Sequence, residues 1–321
     1  MSKPIRIAVV GTGVMGTNHV RVLKRLAGAD LAAVVDADLE RARAAAGSPD
    51  VQACTSVDEL ADDIDAAVVA VPTGAHVATA LALIERGIHV LVEKPLAPTV
   101  AEAEKITQAA AAAGVVLGVG HIERFNPAVV ELSEFVDAPI HIAAARISPF
   151  SPRISDGVVF DLMIHDIDIV CSFAGEAANV SSVSGVGRRV RSESEDIAHV
   201  TMTFDTGMTA SFATSRLGQQ KIRSIEVTQA DSVLCADLVR SDVTIHRMAH
   251  HEFLGDEGVS YRQSSMVEIP FIQNRGEPLA SELADFIAAI RSGGQPRVGG
   301  VAATRNVEIA QSIVSALRIT D

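Results

Sequence analysis

Residues 5–16, Ile5-Arg6-Ile7-Ala8-Val9-Val10-Gly11-Thr12-Gly13-Val14-Met15-Gly16, decide the fold. The apolar run that ends at Val10 predicts a buried strand, and Gly-x-Gly-x-x-Gly follows it ahead of a predicted helix. Gly11 permits a tight turn, Gly13 lets the backbone approach a pyrophosphate, and Gly16 lets the helix pack closely. The stretch predicts a dinucleotide-binding loop with phosphate at the helix start, and the loop also contains Thr12, Val14 and Met15.

Asp36 supports this interpretation, because it follows the second predicted strand, Leu31–Val35, about twenty residues after Gly16. A carboxylate at that position accepts hydrogen bonds from the adenosine ribose and repels a 2'-phosphate. The sequence therefore predicts NAD rather than NADP. An alternative is that Asp36 or Asp38 serves as the N-cap of the next helix.

The first 121 residues continue to alternate between strand and helix signals. Apolar runs at Ala66–Val71 and Ile88–Val92 flank a helical stretch from Ala75 to Arg86. Strands this apolar are covered on both faces of a parallel sheet. Capping boxes predict two further helix starts, at Ser56 with Glu59 and at Thr99 with Glu102. Residues 1–121 are thus expected to form an α/β Rossmann domain.

Residues 122–321 show a different pattern and are expected to form an α+β domain. Short strand-like segments are joined by turns such as Asp205-Thr206-Gly207, which predicts a mostly antiparallel sheet. The predicted strands are residues 140–147, 180–186, 198–204, 209–214, 222–228 and 232–238, and the predicted helices are residues 127–136, 161–173, 281–291 and 302–317.

Composition excludes several classes of function. The 321-residue chain has a formal net charge of −13, which disfavours extended binding to nucleic acid or to an anionic membrane surface. Cys54, Cys171 and Cys235 give neither a disulfide framework nor metal-ligand spacing. The apolar runs are too short for a signal peptide or a membrane span. We therefore expect a soluble, cytoplasmic protein without nucleic-acid or membrane partners.

Two separate segments carry candidate catalytic groups. Glu93-Lys94-Pro95 leaves the fifth predicted strand at its carboxyl end, where open α/β sheets bind ligands. On a predicted helix, Asp161, His165 and Asp168 project from one face. His165 is able to exchange a proton near neutral pH, and Asp161 to orient it. Lys94 would alternatively be an exposed loop lysine. The other three residues would alternatively be ligands of a divalent metal. We expect no metal, because hydride transfer to nicotinamide supplies the chemistry.

Together, Gly-x-Gly-x-x-Gly, Glu93-Lys94-Pro95 and Asp161-x-x-x-His165 resemble the Gfo/Idh/MocA family of oxidoreductases over essentially the whole chain. The resemblance implies a Rossmann domain plus an open, mostly antiparallel sheet, NAD as cofactor, and Lys94, Asp161 and His165 as the catalytic trio. It also places the loop containing Pro72, Thr73 and His76 near the nicotinamide, although Thr73 would equally cap the next helix. The family often has three glycines before the Asp, whereas this chain has Ser155-Asp156-Gly157-Val158-Val159.

A narrower resemblance, to UDP-N-acetylglucosamine 3-dehydrogenases, comes from two segments, Gly120-His121-Ile122-Glu123-Arg124-Phe125-Asn126-Pro127 and Pro152-Arg153-Ile154-Ser155-Asp156. It implies a nucleotide-sugar substrate oxidised to its 3-keto form. Arg124, Arg146 and Arg153 are candidate diphosphate partners, because arginine forms charge-assisted, often bidentate hydrogen bonds. His121, Phe125 and His165 are further candidate substrate contacts, as is Asn126, which would also suit the N-cap before Pro127.

Two alternative functions stay open at this stage. An inositol or free-sugar dehydrogenase would use the same trio, and a dinucleotide-sensing or scaffold protein would keep the fold without turnover. One face of the sheet is expected to lack helices of its own, which predicts a homodimer or homotetramer formed through that face. The residues expected to need cover are Val200, Met202, Phe204, Ala210, Phe212 and Thr214.

Overall fold

A computed structural model describes residues 3–151, 156–255, 258–272 and 276–320. The chain folds as two compact units. The first unit comprises Met1–Phe125 and Gly276–Glu308, and the second comprises Asn126–Arg275 and Ile309–Asp321. The predicted boundary after residue 121 falls close to the first of these junctions, but the return of a late segment to the first unit has no counterpart in the contiguous division predicted from the sequence.

The first unit contains a six-stranded parallel sheet in the order β3-β2-β1-β4-β5-β6. The strand order reverses between β1 and β4, so a crevice opens at their carboxyl ends. The strands are β1 Ile5–Val10, β2 Ala29–Val35, β3 Gln52–Cys54, β4 Ala66–Val69, β5 His89–Glu93 and β6 Leu117–Gly120, and the helices between them are α1 Val14–Leu23, α2 Leu39–Ala46, α3 His76–Glu85 and α4 Val100–Ala113.

Strand β4 shows why these strands are apolar throughout. All four of its residues are fully buried. Ala67 and Val69 pack into one hydrophobic cluster, whereas Ala66 and Val68 pack into another. Alternate side chains of a strand point to opposite faces of a sheet, so both faces are covered, as the continuous apolar run predicts.

Local capping fixes where several helices begin. The Asp38 carboxylate accepts from the N–H groups of Glu40 and Arg41 and is the N-cap of α2. The Thr99 hydroxyl accepts from the N–H of Glu102 at the start of α4. The capping box at Ser56 is also present, but it begins a short 3-10 turn instead of a longer helix. Each cap satisfies backbone donors that the helix itself leaves unpaired.

The second unit is built around a nine-stranded sheet in the order β14-β13-β12-β11-β7-β10-β9-β8-β15. Only the pairs β7–β10 and β8–β15 are parallel, so the sheet is open and mostly antiparallel as predicted. Its elements are α5 Pro127–Ser133, β7 His141–Ile147, a π-helix Val159–Met163, α6 Ile164–Ala174, β8 Val180–Arg188, β9 Ile197–Phe204, β10 Thr209–Ser215, β11 Ile222–Thr228, β12 Ser232–Asp237, β13 Asp242–Gly255 and β14 Gly258–Glu268.

The chain ends with α7 Pro278–Ser292, α8 Gly300–Ala316 and β15 Leu317–Thr320. Helix α7 belongs to the first unit, where Leu283 and Phe286 join the core cluster that also holds Val68. Gly118 lies so close to Phe286 that a Cβ there would be 3.2 Å from the ring. Helix α7 therefore completes the helical cover of the parallel sheet. In the described part of the chain, no helix is long and apolar enough to cross a bilayer.

One face of the nine-stranded sheet is covered by the second unit itself. Val200, Met202 and Phe212 are at most 3% exposed and share a core cluster with Ile167 of α6 and Ile313 of α8. The prediction that these residues and Phe204, Ala210 and Thr214 need cover from another subunit is therefore wrong, because helices of the same chain cover them. The opposite face bears small and polar residues, among them Ala143, Ser184, Thr201 and Ser211.

Candidate functional site

The glycine-rich loop has the close contacts that the sequence predicts. Gly11 has φ +93°, and a Cβ on it would lie 2.6 Å from the carbonyl oxygen of Ala70. A Cβ on Gly16 would lie 1.8 Å from the carbonyl oxygen of Gly11, so only glycine allows α1 to approach the loop. A Cβ on Gly13, in contrast, would have no described atom within 4 Å. The loop is therefore tight on its protein side and open on the side where a ligand would bind.

The start of α1 fits the pyrophosphate of a dinucleotide. Gly13 is the N-cap of this helix and has no side chain that would accept a hydrogen bond from the first N–H groups. Those donors, together with the positive end of the helix dipole, suit an anion. The first turn contains no acidic residue that would oppose one.

Asp36 is held in place at the carboxyl end of β2. Its Oδ2 accepts from the Thr12 N–H at 2.8 Å and from the Thr12 hydroxyl, and its Oδ1 accepts from the Asp38 N–H at 3.1 Å. Burial would raise the pKa of Asp36, but hydrogen bonds from the Thr12 hydroxyl and from the N–H groups of Asp38 and Thr12 outweigh it and lower the pKa. The carboxylate is thus ionised and fixed where it would meet the adenosine ribose.

Arg41 is a residue that the sequence analysis missed. Its Nη2 donates to the carbonyl oxygen of Thr12 at 3.1 Å and lies 3.9 Å from Asp36 Oδ2. The arginine lies in the first turn of α2, which brings it back over the end of β2. Its position relative to Asp36 depends on the path of the loop between β2 and α2, so no local motif would have revealed it.

The dinucleotide-binding residues line a cavity of about 730 Å³. Lys94 and Glu93 line the same cavity as the glycine-rich loop within the first unit. All the predicted cofactor residues except Gly16 belong to this lining: Gly11, Thr12, Gly13, Val14, Met15, Asp36, Pro72, Thr73, His76, Glu93 and Lys94. Residues not predicted also line it: Val10, Val35, Ala37, Arg41, Thr55, Ser56, Val57, Ala70, Val71 and Thr79.

His76 joins the two loops that border the cavity near Lys94. Its Nδ1 lies 2.9 Å from the carbonyl oxygen of Pro95 and its Nε2 lies 3.0 Å from that of Val71. The Lys94–Pro95 peptide bond is cis. Burial lowers the pKa of His76, although the two carbonyl groups and the charge of Glu93 act in the opposite direction. The lowered pKa favours a neutral His76, which has one ring N–H and so donates to one of the two carbonyl oxygens.

Glu93 is supported from within the protein by His19, another residue that the sequence analysis missed. His19 Nε2 lies 2.7 Å from Glu93 Oε1, and His19 on α1 is completely buried. A Cβ on Gly120 would lie 3.0 Å from Glu93 Oε2, so the end of β6 also packs against this carboxylate. His19 and Gly120 thus fix the side chain that immediately precedes Lys94.

In the second unit, Asp161 lies on the π-helix and His165 in the first turn of α6. π-helical turns are rare and occur frequently at functional sites. The Asp161 N–H donates to the carbonyl oxygen of Gly157, and the Val159 N–H donates to Glu195 Oε1 at 3.1 Å. A Cβ on Gly157 would lie 2.0 Å from Glu195 Oε1. A larger residue at position 157 would therefore have to displace the Glu195 carboxylate.

Arg146 forms a buried ion pair with Asp166, the residue that follows the candidate catalytic histidine in the sequence. Its Nε and Nη2 donate to the carboxylate of Asp166 at 2.7–3.0 Å, and the two side chains are 1% and 2% exposed. Asp166 follows His165 directly on α6. This placement does not fit the predicted contact between Arg146 and a substrate diphosphate, because the guanidinium is enclosed in the core and already shared with an acid.

The remaining candidate substrate residues are placed as follows. His121 is 1% exposed and follows β6, and Arg297 lies over the ring of Phe125 at 5.2 Å and donates to the carbonyl oxygen of Arg124. Asn126 is the N-cap of α5, where it accepts from the Ala128 N–H and donates to the Leu238 carbonyl oxygen. Asn126 is thus structural in its described contacts. Arg153 lies outside the described residues.

No group of three or more histidine, cysteine, aspartate or glutamate side chains within the described residues has a geometry that would hold a metal ion. Cys54, Cys171 and Cys235 are free thiols.

Comparisons with known proteins agree with this geometry. A family model described as "Oxidoreductase family, NAD-binding Rossmann fold" matches residues 5–121, and one described as "GFO/IDH/MocA C-terminal domain" matches residues 136–230. The UDP-N-acetylglucosamine 3-dehydrogenase of Acidithiobacillus ferrooxidans is 31% identical over 311 residues, which cover 96% of each chain. The chain belongs to the Gfo/Idh/MocA oxidoreductase family.

Two further comparisons bear on the interpretation. A solved structure of the A. ferrooxidans UDP-N-acetylglucosamine 3-dehydrogenase superimposes with a TM-score of 0.88 at 30% identity and covers 98% of each chain. The scyllo-inositol 2-dehydrogenase (NAD(+)) of Bacillus subtilis is 28% identical, and the match covers 99% of this chain and 95% of that protein. Relatives of both kinds are thus similar along nearly the whole chain.

Membership of the Gfo/Idh/MocA family confirms the expected fold, the NAD cofactor and an oxidoreductase activity. It does not test the individual site residues. Lys94, Asp161 and His165 as the catalytic trio, and the predicted cofactor and substrate contacts, remain predictions from the sequence.

Proposed function

We propose that this enzyme oxidises a secondary alcohol of a nucleotide-sugar, the 3-hydroxyl of UDP-N-acetylglucosamine, to the ketone. The observation that carries the proposal of alcohol oxidation is that Lys94 lines the same cavity as the glycine-rich loop and Asp36. The choice of substrate rests on similarity over the whole length to a UDP-N-acetylglucosamine 3-dehydrogenase.

The reaction must remove a hydride from the carbinol carbon and a proton from its hydroxyl. Bound NAD supplies the hydride acceptor. We assign the proton to His165, whose imidazole is suited to accept it near neutral pH. Lys94 donates a hydrogen bond to the reacting oxygen as negative charge develops there, and Asp161 orients the proton acceptor.

An inositol or free sugar is the alternative substrate class, and the similarity to scyllo-inositol 2-dehydrogenase supports it. The two classes differ in the diphosphate, which only the nucleotide-sugar carries. A residue that contacts the diphosphate would therefore favour the first class. We also propose a cytoplasmic location, which accords with the three free thiols, and a homodimeric or homotetrameric assembly.

The test is to follow NADH absorbance while the enzyme is given NAD with UDP-N-acetylglucosamine, free N-acetylglucosamine, myo-inositol or scyllo-inositol. We expect turnover with the nucleotide-sugar at a kcat/KM well above those of the free polyols. A higher kcat/KM for an inositol would reject the proposed substrate. Absence of turnover with every compound would instead favour the dinucleotide-sensing or scaffold alternative.

Lys94→Ala tests the proposed role of the amine in the same assay. General acid–base and electrostatic groups each contribute about 10²- to 10⁴-fold, so the variant should lose at least about a hundredfold in kcat. NAD affinity, measured by calorimetry, should remain similar because the glycine-rich loop and Asp36 are unchanged. Normal turnover in this variant would remove Lys94 from the mechanism.

A further inference from the structure

Several strands of the second unit begin or terminate at the same end of its sheet. Ile147 at the end of β7 is paired with Ser215 at the end of β10, and Ser215 is paired with Ile197 at the start of β9. Ile197 is in turn paired with Arg188 at the end of β8. The loop from Arg188 to Asp196 therefore lies at the end of the sheet at which β7 terminates. The chain continues from β7 toward the π-helix that contains Asp161.

This loop contacts the start of the candidate catalytic segment directly. The Val158 N–H donates to the carbonyl oxygen of Glu195, and the Val159 N–H donates to the Glu195 carboxylate. Arg216, which follows β10, donates to the carbonyl oxygen of Asp156. Residues 188–196 are thus packed beside the residues that lead into the π-helix carrying Asp161.

The loop concentrates positive charge in an acidic protein. Arg188, Arg189 and Arg191 lie within four residues and all three are exposed, although the chain as a whole has a net charge of −13. Two acids of the same loop, Glu195 and Asp196, are 6% and 0% exposed and are engaged within the protein. The exposed charge of the loop is therefore mainly that of the arginines, with Glu193 as the exposed acid.

Asp196 fixes the backbone that displays these arginines. Its Oδ2 accepts from the N–H groups of Val190, Arg191 and Ser192 at 2.6–3.1 Å, and its Oδ1 lies 3.5 Å from Arg216 Nε. Burial would raise the pKa of Asp196, but the hydrogen bonds from these N–H groups and from the Ser192 hydroxyl lower it, so the carboxylate is ionised. Because the carboxylate occupies the backbone donors, an external anion would have to be bound by the side chains.

Arg191 lies against an aromatic ring. Its guanidinium lies 5.6 Å from the centre of the Phe150 ring, in the segment that follows β7. Stacking on an aromatic ring restricts the side chain while leaving the guanidinium donors available at its edge. A pre-oriented guanidinium loses less entropy when it binds a phosphate group.

We propose that the loop Arg188–Ser192 binds the diphosphate of the nucleotide-sugar substrate, with Arg191 as its principal contact. The inference rests on the proposed function, because only a nucleotide-sugar supplies the diphosphate. It assigns substrate recognition to arginines that no motif of the sequence singled out. Arg146 and Arg216 lie at the same end of the sheet, and each is paired with a buried acid. They therefore stabilise the proposed diphosphate site from within the core.

Arg191→Ala tests the proposal, and Arg247→Ala is the matched control. Arg247 belongs to the same unit and pairs with Glu268. It lies on β13 opposite Ser232, at the opposite end of the sheet from Arg191. A charge-assisted hydrogen bond to phosphate is worth about ten- to a hundredfold in affinity. We expect the KM for UDP-N-acetylglucosamine to rise by that factor in Arg191→Ala and not in Arg247→Ala, with the KM for NAD unchanged in both.

Competition experiments show whether the diphosphate is the group that is recognised. UDP should inhibit the wild type more strongly than uridine, and this difference should shrink in Arg191→Ala and further in Arg188→Ala/Arg189→Ala/Arg191→Ala. Unchanged KM values and unchanged UDP inhibition in the triple variant would overturn the proposal, even if UDP-N-acetylglucosamine proves to be the substrate.

Calorimetry with UDP alone separates this proposal from the proposed function. If the wild type does not oxidise UDP-N-acetylglucosamine but binds UDP, and the triple variant does not bind it, the proposed activity is wrong while the diphosphate site stands. If the wild type binds no UDP, the diphosphate site is wrong. Circular dichroism of each variant verifies that the exposed substitutions leave the fold intact.

Discussion

The buried pair of Arg146 and Asp166 leads to the most decisive prediction about the second unit. Arg146→Met removes the guanidinium but keeps an unbranched apolar chain of similar path. The Asp166 carboxylate, 2% exposed, then loses three donor contacts of 2.7–3.0 Å and remains in the core. Breaking a buried ion pair in this way costs about 3–5 kcal/mol.

A second substitution tests whether that cost comes from the stranded charge. In Arg146→Met/Asp166→Leu both charges are replaced by apolar groups, and such replacements of buried pairs are often neutral or stabilising. We expect the double variant to regain most of the stability lost by Arg146→Met. Domains have about 5–15 kcal/mol in total, so the single variant should still fold at low urea concentration.

Urea unfolding followed by far-ultraviolet circular dichroism is the appropriate assay, because the chain has no tryptophan and only one tyrosine for intrinsic fluorescence. Equal slopes of unfolding free energy against urea would show that the variants unfold over the same surface. Suppose that Arg146→Met costs less than about 1 kcal/mol and instead raises the KM for the nucleotide-sugar. Arg146 would then contact the diphosphate, as the sequence predicts, and the structural role assigned here would be wrong.

Asp36→Ser should shift cofactor preference toward NADP by about ten- to a hundredfold in relative kcat/KM. The substitution removes the charge that opposes a 2'-phosphate and leaves Arg41 to bind that phosphate. An unchanged preference would show that Arg41 does not reach the 2'-phosphate. His76 has a lowered pKa in the folded protein, so the unfolded chain binds a proton that the folded one does not as pH falls below the ordinary value of 6.5. Thermal stability should decrease below that pH, and less steeply in His76→Gln. Gly157→Ala should cost about 1–3 kcal/mol and lower kcat, because its Cβ collides with Glu195; removing that side chain in Gly157→Ala/Glu195→Ala should relieve the collision, and simple additivity of the two effects would contradict this reasoning.

Four of the six strands of the parallel sheet could be predicted because their signals are local, whereas β3 and β6 were not predicted. Strand β1 has the predicted bounds, Ile5–Val10, and the close packing of α1 is local, because a Cβ on Gly16 would meet the carbonyl oxygen of Gly11. The caps at Asp38 and Thr99 are likewise formed with residues two to three positions away. Apolar periodicity and capping chemistry act over a few residues, so a single sequence reveals them.

Features that depend on distant partners could not be predicted. The helical pattern of α7 reveals an apolar stripe but not that the stripe packs on the first sheet. The π-helical turn at Asp161 changes the spacing of side chains that an ordinary α-helix would give. Next to this turn, Gly157 lies close to Glu195, which is distant in the sequence. Arg146 was assigned to substrate because its partner, Asp166, lies on another element and its burial is a tertiary property.

Net charge was also an incomplete guide, because it says little about the potential at a particular loop. In a chain of net charge −13, the two predicted anion-binding sites use different chemistry. The start of α1 offers uncapped backbone N–H groups and no basic side chain in its loop, so its attraction for a pyrophosphate comes from dipoles. The loop containing Arg191 has its N–H groups occupied by Asp196 and offers full charges at exposed side chains instead. Exposed charges are screened by salt more strongly than backbone donors, so substrate binding should weaken with ionic strength more than NAD binding does.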